Sequence, residues 1–350
     1  MKPRVVLVTG VAGFLGGSLA ARLARDPEVE RVLGVDVVPP APELRHALGR
    51  AEFIRADIRN PLIAKVVAAA RVDTVVHTAV TPSASSRGSR SVMKEMNVLG
   101  TMQLLAACQT APTVDRLVLK SSSAVYGASS RDPAMFTEQM GPKELPSGGY
   151  AKDAAEIEGY LRAFGRRRPD VDITTLRFVN FIGPNIDTAL TRYFALPVVP
   201  TVLGHDARVQ LLHPEDALAV LERATLCRLP GVFNVGGDGV IMLSQAVRRA
   251  GRVPLPVPST AVRPVGNLLR GTRLLDLSPD QVRFLNFGRV LDTTLLKERF
   301  GFTPRWTTRQ AFDDFVTSRG LRPVVDQEWL ATAERGMRNR AAAAQADRTG

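Results

Sequence analysis

The sequence predicts an α/β fold, a doubly wound parallel sheet, and three observations carry that expectation. Short β-branched runs alternate with stretches of helical apolar spacing through the first half of the chain, the pattern of parallel strands joined by right-handed crossovers. Val5 to Val8 is apolar at every position, as a strand buried on both faces must be. That run leads at once into Thr9-Gly10-Val11-Ala12-Gly13-Phe14-Leu15-Gly16, where three glycines separate the strand from a segment with Phe14, Leu15, Leu19 and Leu23 spaced as a helix.

In such a turn the first glycine, Gly10, allows a tight reversal. The second, Gly13, lets backbone approach a pyrophosphate, and the third, Gly16, lets helix and strand pack closely. Unpaired N–H groups at the helix start, around Phe14 and Leu15, then face the phosphates. A second β-rich run, Arg31 to Val35, ends in Asp36, twenty residues beyond Gly16. A carboxylate there can accept hydrogen bonds from the adenosine ribose. The combination points to a dinucleotide, and an acid at this place repels a 2′-phosphate, so NAD is expected rather than NADP. Arg4 and Arg31 do not answer that repulsion. The plain alternative is a glycine turn beside an unrelated surface acid.

The remaining elements follow in order. Val37 to Pro42 is loop, and Phe53 to Ile58 reads as a third strand that runs through Asp57. A short helix around Pro61 to Ala70 precedes a fourth strand, Val72 to Ala79. Thr81 to Ser91 has no periodicity and reads as a mobile loop. Helical spacing returns from Val92 to Ala111 through Met96, Leu99, Leu104, Leu105 and Cys108, and Arg116 to Ser121 forms a fifth strand.

At 350 residues the chain holds one large or two ordinary domains with ample core. Its net charge of +12 suits anionic ligands such as nucleotides, or an acidic membrane surface. Nucleic acid is disfavoured, because no finger, homeodomain-like or aromatic-plus-basic signature accompanies the charge. No apolar run reaches the roughly 18 residues of a membrane span. The N-terminus enters a strand immediately, so no signal peptide is expected and the cytoplasm is the expected location. Cys108 and Cys227 read as buried free thiols, and His46, His77, His205 and His213 are too scattered to propose a metal site.

The order of motifs resembles the extended branch of the short-chain dehydrogenase/reductase superfamily, the NAD-dependent epimerase/dehydratase family that includes UDP-glucose 4-epimerase-like enzymes. The matching pieces run from Arg4 to about Phe315. They are the glycine turn, Ala56-Asp57-Ile58-Arg59, His77-Thr78-Ala79, Asn97-Val98-Leu99-Gly100-Thr101 and Ser121-Ser122-Ser123-Ala124-Val125-Tyr126-Gly127. Leu176-Arg177-Phe178-Val179-Asn180-Phe181-Ile182-Gly183-Pro184, Phe233-Asn234-Val235-Gly236 and Phe300-Gly301-Phe302-Thr303-Pro304 complete the series. The resemblance implies a Rossmann domain over residues 1–183, rejoined by about 213–240, and a smaller, mostly C-terminal α/β substrate domain over 184–212 and 241–325, followed by a tail over 326–350. It implies that Asp57 and Ile58 lie by the adenine, that Thr78, Ala79 and Val80 pass the nicotinamide, and that Asn97 supports the central helix near the active site. Structural alternatives are a strand terminus for Asp57, a satisfied core histidine for His77 and a helix-surface amide for Asn97. A homodimer is implied by analogy only.

Family enzymes use a Ser or Thr to orient the substrate hydroxyl, a Tyr as acid/base, and a Lys four residues after the Tyr to lower its pKa and hold the nicotinamide ribose. Spacing from Tyr126-Gly127 makes Ser122 the hydroxyl residue, and Tyr150 is the match for the tyrosine. Four residues on stands Ala154. Lys152 lies about 200° around the helix from Tyr150, whereas position 154 lies about 40° away and one turn on. A phenol of pKa about 10 is ionised in roughly one molecule per thousand at pH 7, and losing a tuned acid/base costs about 10² to 10⁴ in rate. Turnover is therefore expected to be weak. Lys120, two residues before Ser122 on the strand, is a candidate for the missing charge, the alternative being a pair with a nearby acid.

A second departure lies at Arg208-Val209-Gln210-Leu211-Leu212-His213, where Val209 replaces the arginine that family enzymes often use on the substrate diphosphate. Asn180 and Arg208 remain candidate substrate contacts, and Arg177, Arg192 and Arg289 are further anion-binding candidates. Val265 to Leu277 alternates apolar residues with Arg270 and Arg273 and reads as a basic amphipathic segment suited to a membrane surface, a lipid-like substrate or the substrate domain. The expected activity is NAD-dependent epimerase- or dehydratase-like oxidation of a secondary alcohol on an anionic, nucleotide-linked substrate, with a weakened site. The alternatives are a hydroxysteroid- or lipid-type dehydrogenase and a non-catalytic NAD-bound sensor or scaffold.

Overall fold

The computed structural model describes residues 2–81, 90–142, 149–258 and 278–324. Its centre is a seven-stranded parallel sheet of β1 (Val5–Thr9), β2 (Arg31–Asp36), β3 (Glu52–Arg55), β4 (Thr74–His77), β5 (Arg116–Ser122), β6 (Asp172–Phe178) and, after four short strands, Gly231–Val235. The short strands are β7 (Asn180–Phe181), β8 (Val198–Val202), β9 (Arg208–Val209) and β10 (Leu211–Leu212), which makes Gly231–Val235 β11. The spatial order is β11-β6-β5-β4-β1-β2-β3. The chain builds outward from β1 in one direction, then returns to its other side at β4. Ligands of open α/β sheets bind outside the strand ends at such a reversal.

Alternate residues explain why β1 is apolar throughout. Val6 and Val8 pack on one face with Leu19 and Leu23 of α1 (Phe14–Leu23), and Leu7 packs on the other with Leu33, Val75 and Leu104. The second face is covered by α3 (Ile63–Ala69), α5 (Gly100–Thr110) and α6 (Gly149–Arg167), the intervening α2 (Pro42–Ala47) and α4 (Arg90–Lys94) being short. After α7 (Ala189–Ala195), α8 (Pro214–Leu226) covers the first face beside α1. A third core gathers Ile182, Phe194, Val209, Ile241, Phe284, Phe312 and Phe315. It is built from α7, β9, β10, β12 (Ile241–Met242), α9 (Leu243–Arg249), α10 (Pro279–Phe287) and α12 (Thr308–Ser318), the last preceded by α11 (Thr294–Glu298). β13 (Val253–Val257) pairs with β8, and β14 (Gly288–Arg289) pairs with β9.

Three expectations are corrected in detail. The third strand stops at Arg55 instead of running to Ile58, because the Asp57 carboxylate takes the Arg59 N–H at 2.9 Å and turns the chain. The fourth strand is four residues long, Thr74–His77. The helix expected over Val92 to Ala111 contains a π-helical turn, Glu95–Leu99, whose widened backbone carries Asn97 inward. Most of the loop expected over Thr81 to Ser91, the amphipathic segment Val265 to Leu277 and the tail fall outside the described residues.

His77 is a satisfied core histidine. Thr101 Oγ1 donates to the Asn97 carbonyl at 2.5 Å, so it accepts from His77 Nε2 at 2.9 Å, and Nδ1 then accepts from Thr9 Oγ1 at 2.7 Å. Burial, reinforced by the Lys120 charge, lowers its pKa to about 3. The unfolded chain binds a proton here near pH 6.5 and the folded chain does not, so stability falls as pH drops through that window. Between pH 6.5 and 5 the loss amounts to about 2 kcal/mol. Urea unfolding of His77→Gln should show a shallower acid decline than wild type over that interval, and parallel declines would refute the assignment.

Candidate active site

At the reversal point the turn after β1 is fixed by contacts that glycine alone permits. Gly10 has φ +78°, its N–H donates to the Val35 carbonyl at 2.9 Å, and a Cβ there would lie 2.8 Å from Ala79 Cα. A Cβ on Gly16 would strike the Gly10 carbonyl and the Thr78 hydroxyl, which itself donates to the Thr9 carbonyl at 2.6 Å. Gly13 differs: a Cβ there would meet nothing nearer than the Gly10 oxygen at 3.4 Å, an ordinary contact. Protein packing therefore demands Gly10 and Gly16, while Gly13 is left bare toward the start of α1, whose first N–H groups have no carbonyl one turn earlier.

Asp36 braces this turn. Its Oδ1 accepts from the Val37 N–H at 2.8 Å and the Val38 N–H at 3.4 Å, and its Oδ2 accepts from the Ala12 N–H at 3.0 Å and keeps a lone pair for a ribose. The Asp57 carboxylate is held below its usual range by the Arg59 guanidinium, 2.6 Å away. Ile58 is buried against Gly100. Ala79 is half-buried, Val80 is buried, and Asn97 pins the next residue by accepting from Thr81 N–H at 3.2 Å and donating to its carbonyl at 3.0 Å.

β5 delivers Ser122 to the same crest. Its Oγ caps the 3₁₀ turn Ser123–Tyr126 by accepting from Ala124 N–H at 3.1 Å, and its hydroxyl acts on the phenol of Tyr150, the second residue of α6. Burial raises the Tyr150 pKa well above the ordinary phenol value. The Ser122 hydroxyl opposes the rise and the nearby Asp153 carboxylate adds to it. Ala154 is buried in the core cluster that contains Val125 and Tyr126, and Lys152 is exposed, as the helical angle requires.

Lys120 is buried, and its Nζ donates to the Val80 carbonyl at 2.5 Å. No carboxylate among the described residues pairs with it, so the expected acid partner is replaced by a backbone oxygen. Burial lowers its pKa to about 8.

The anion-binding candidates divide. Arg177 is structural: it grips the buried Glu158 at 3.0 and 2.7 Å and donates to the Tyr126 hydroxyl at 2.8 Å, and Glu158 accepts from Ser121 at 2.6 Å. Arg192 pairs with Asp187 at the surface. Arg208 is exposed beside the buried Val209 and lines a cavity of about 290 Å³ with Ser129, Asp132, His205 and Asn286. Asn180 is half-buried on β7 beside Leu211. Arg289 is buried against the segment that follows Ser122. Sequence reasoning missed Asp153 and Glu158. The signal was present, since both acids interrupt the apolar stripe of Ala154, Ile157 and Leu161 on α6.

The family model described as the NAD dependent epimerase/dehydratase family matches residues 6–236, and the chain belongs to that family. An uncharacterized protein of Mycobacterium tuberculosis strain H37Rv is 53% identical over 324 residues, which are 93% of this chain and 86% of that protein. The UDP-glucose 4-epimerase of Thermotoga maritima, solved with UDP-glucose, superposes with a TM-score of 0.67 at 19% identity over 90% of this chain and 98% of its own. A dTDP-glucose 4,6-dehydratase of Bacillus anthracis in complex with NAD does so with a TM-score of 0.68 at 19% identity over 93% and 98%. Identities this low establish the fold. NAD is the cofactor of the family, and the bare Gly13, the start of α1 and the Asp36 carboxylate fit its pyrophosphate and ribose.

The three glycines separate folding from binding. Gly13→Ala should leave the melting temperature of cofactor-free protein nearly unchanged and weaken NAD about tenfold or more by calorimetry. Gly10→Ala should instead destabilise the fold by about 1 kcal/mol or more, through positive φ and the Ala79 contact.

Proposed function

We propose that this chain is an NAD-dependent oxidoreductase of the epimerase or dehydratase kind, acting on a secondary alcohol of a nucleotide-linked sugar with a reacting site that lacks the usual lysine. The observation that carries this reading is the Ser122–Tyr150 hydroxyl pair at the crest of the sheet, beside the glycine turn. NAD, when bound, supplies the hydride acceptor. Ser122 orients the substrate hydroxyl and Tyr150 moves its proton. The third core, from Ile182 to Phe315, is the region we assign to substrate.

With Ala154 at its side, Tyr150 stays protonated at neutral pH, so it is ready to donate a proton and poor at taking one. Lys120 is the cation we assign to this site. It reaches the Val80 carbonyl, on the segment that the family resemblance puts beside the nicotinamide, and its pKa of about 8 keeps it mostly charged at pH 7. A non-catalytic role as an NAD-bound sensor or scaffold is favoured by one observation, the packing of Ala154 into the core where an ammonium would otherwise stand.

Val92, Leu99 and Met102, along α4, the π turn and α5, and Tyr160 of α6, which packs on all three, are exposed, and these apolar side chains support a homodimer formed through these helices. Among the described residues no helix is long and apolar enough to cross a membrane.

Two measurements test these assignments. With saturating NAD and UDP-glucose or UDP-galactose, wild type should interconvert the sugars slowly. Tyr150→Phe should lose about 10² or more of that rate and Ala154→Lys should gain about tenfold or more. An unchanged rate in Tyr150→Phe would end the catalytic reading. Sedimentation should find a dimer that Leu99→Glu converts to monomer with the melting temperature of the separated chain preserved.

A further inference from the structure

Among the described residues, buried arginines are matched by something negative, with one exception. Arg177 holds the Glu158 carboxylate in a two-pronged ion pair. Arg116 is directed at the Thr225 carbonyl in the last turn of α8, and Arg252 at the Phe194 carbonyl in the last turn of α7. Both therefore sit at the negative end of a helix. Arg289 has neither arrangement. Its Nε donates to the Gly127 carbonyl at 2.7 Å and its Nη1 to the Ser123 hydroxyl at 3.3 Å, both neutral acceptors at either end of a single 3₁₀ turn. Among the described residues no carboxylate lies within ion-pair distance of it, and its remaining N–H groups have no partner.

Keeping a guanidinium buried on neutral acceptors is costly, and a neutral donor would serve those two hydrogen bonds as well. Burial accordingly lowers its pKa to about 10, against the pull of Asp132 and Asp280 from further off. The Asp132 carboxylate is already engaged by the Ser129 N–H at 2.7 Å and its hydroxyl at 2.9 Å.

The position of Arg289 is informative. Ser123, one of its acceptors, follows Ser122 directly in the chain. The guanidinium lies 5.5 Å from the ring centroid of Phe284 on α10. The same helix carries Asp280, which packs so closely on Gly149 that a Cβ there would lie 3.0 Å from Asp280 Cγ, and Gly149 immediately precedes Tyr150. Arg289 thus lies between the turn that follows Ser122 and α10, the helix that itself packs on the residue before Tyr150.

We propose that Arg289 recognises an oxyanion, carboxylate or phosphate, carried by the substrate at its reacting end. The planar fork and its unused donors suit two-pronged capture of such a group. The anion supplies the counter-charge that the protein omits, and the substrate class becomes an acidic rather than a neutral sugar. This deepens the nucleotide-sugar reading given above and rests on it for one pair of probes only.

The test is calorimetry on NAD-loaded protein with UDP-glucuronic acid and UDP-glucose, together with thermal protection by free glucuronate and by inorganic phosphate against chloride at equal ionic strength. Wild type should bind the acidic nucleotide sugar about tenfold or more tightly than the neutral one. Arg289→Gln should abolish that preference by weakening the acid alone. Glucuronate and phosphate, compared with each other, identify which oxyanion is preferred. If neither nucleotide sugar binds but a free oxyanion protects wild type and not Arg289→Gln, the nucleotide reading falls and the Arg289 site stands. The inference is overturned if wild type treats acidic and neutral probes alike, or if Arg289→Gln weakens both equally. Should the glutamine variant not fold, Arg289→Lys replaces it. Lysine keeps the charge without the fork and should retain a reduced preference for the acid, whereas an undiminished one would overturn the two-pronged contact.

Discussion

The site depends on one close approach, that of the Gly10 backbone to Ala79 across the point where the sheet reverses direction. At that separation a side chain on residue 10 cannot fit, and the left-handed backbone there turns β1 abruptly into α1. The N-terminus of α1 is thereby aimed over the strand ends, Ala12 is brought to the Asp36 carboxylate, and Thr78 closes on the Thr9 carbonyl. Asn97, carried inward by a π turn, then fixes Thr81 just beyond β4. A bare crest that fits a dinucleotide is the consequence of this packing.

Across the sheet from that turn, charge is handled by a different rule. The Arg177–Glu158 pair, with Ser121, Tyr126 and Asn234, forms a buried network in which the hydrogen bonds of each charge are answered within the protein, and it holds α6 to β5 and β6. Tyr150, Lys120 and Arg289 are not answered in that way. Among the described residues the phenol gains no neighbouring ammonium, the lysine has a carbonyl, and the arginine has a carbonyl and a hydroxyl. Groups left in that state inside a protein are candidates for work on a ligand.

Much of this was legible in the sequence. The glycine spacing, the alternation of strands and helices and the order of later motifs marked out the sheet and its glycine turn, and singled out Asp36, Ser122 and Tyr150 as candidates. The break at Ala154 was equally plain, because helical geometry forbids Lys152 from replacing it. The ends of β3 and β4 were not legible, since an Asx turn at Asp57 and short pairing at Thr74–His77 are decided by neighbours. Asp153 and Glu158 were readable as acids on an apolar stripe, but their partners were not.

What the sequence determined by itself is local chemistry: which backbone positions must be bare, which residue types stand at fixed intervals from them, and which expected lysine is missing. Only the tertiary structure decided what each buried charge faces. It separated Arg177, matched by Glu158 across two elements, from Arg289, set on neutral acceptors, although the two look alike in sequence. The physical reason is that the cost of a buried charge depends on atoms brought together from distant parts of the chain, 19 residues away for Glu158 and 162 for Gly127.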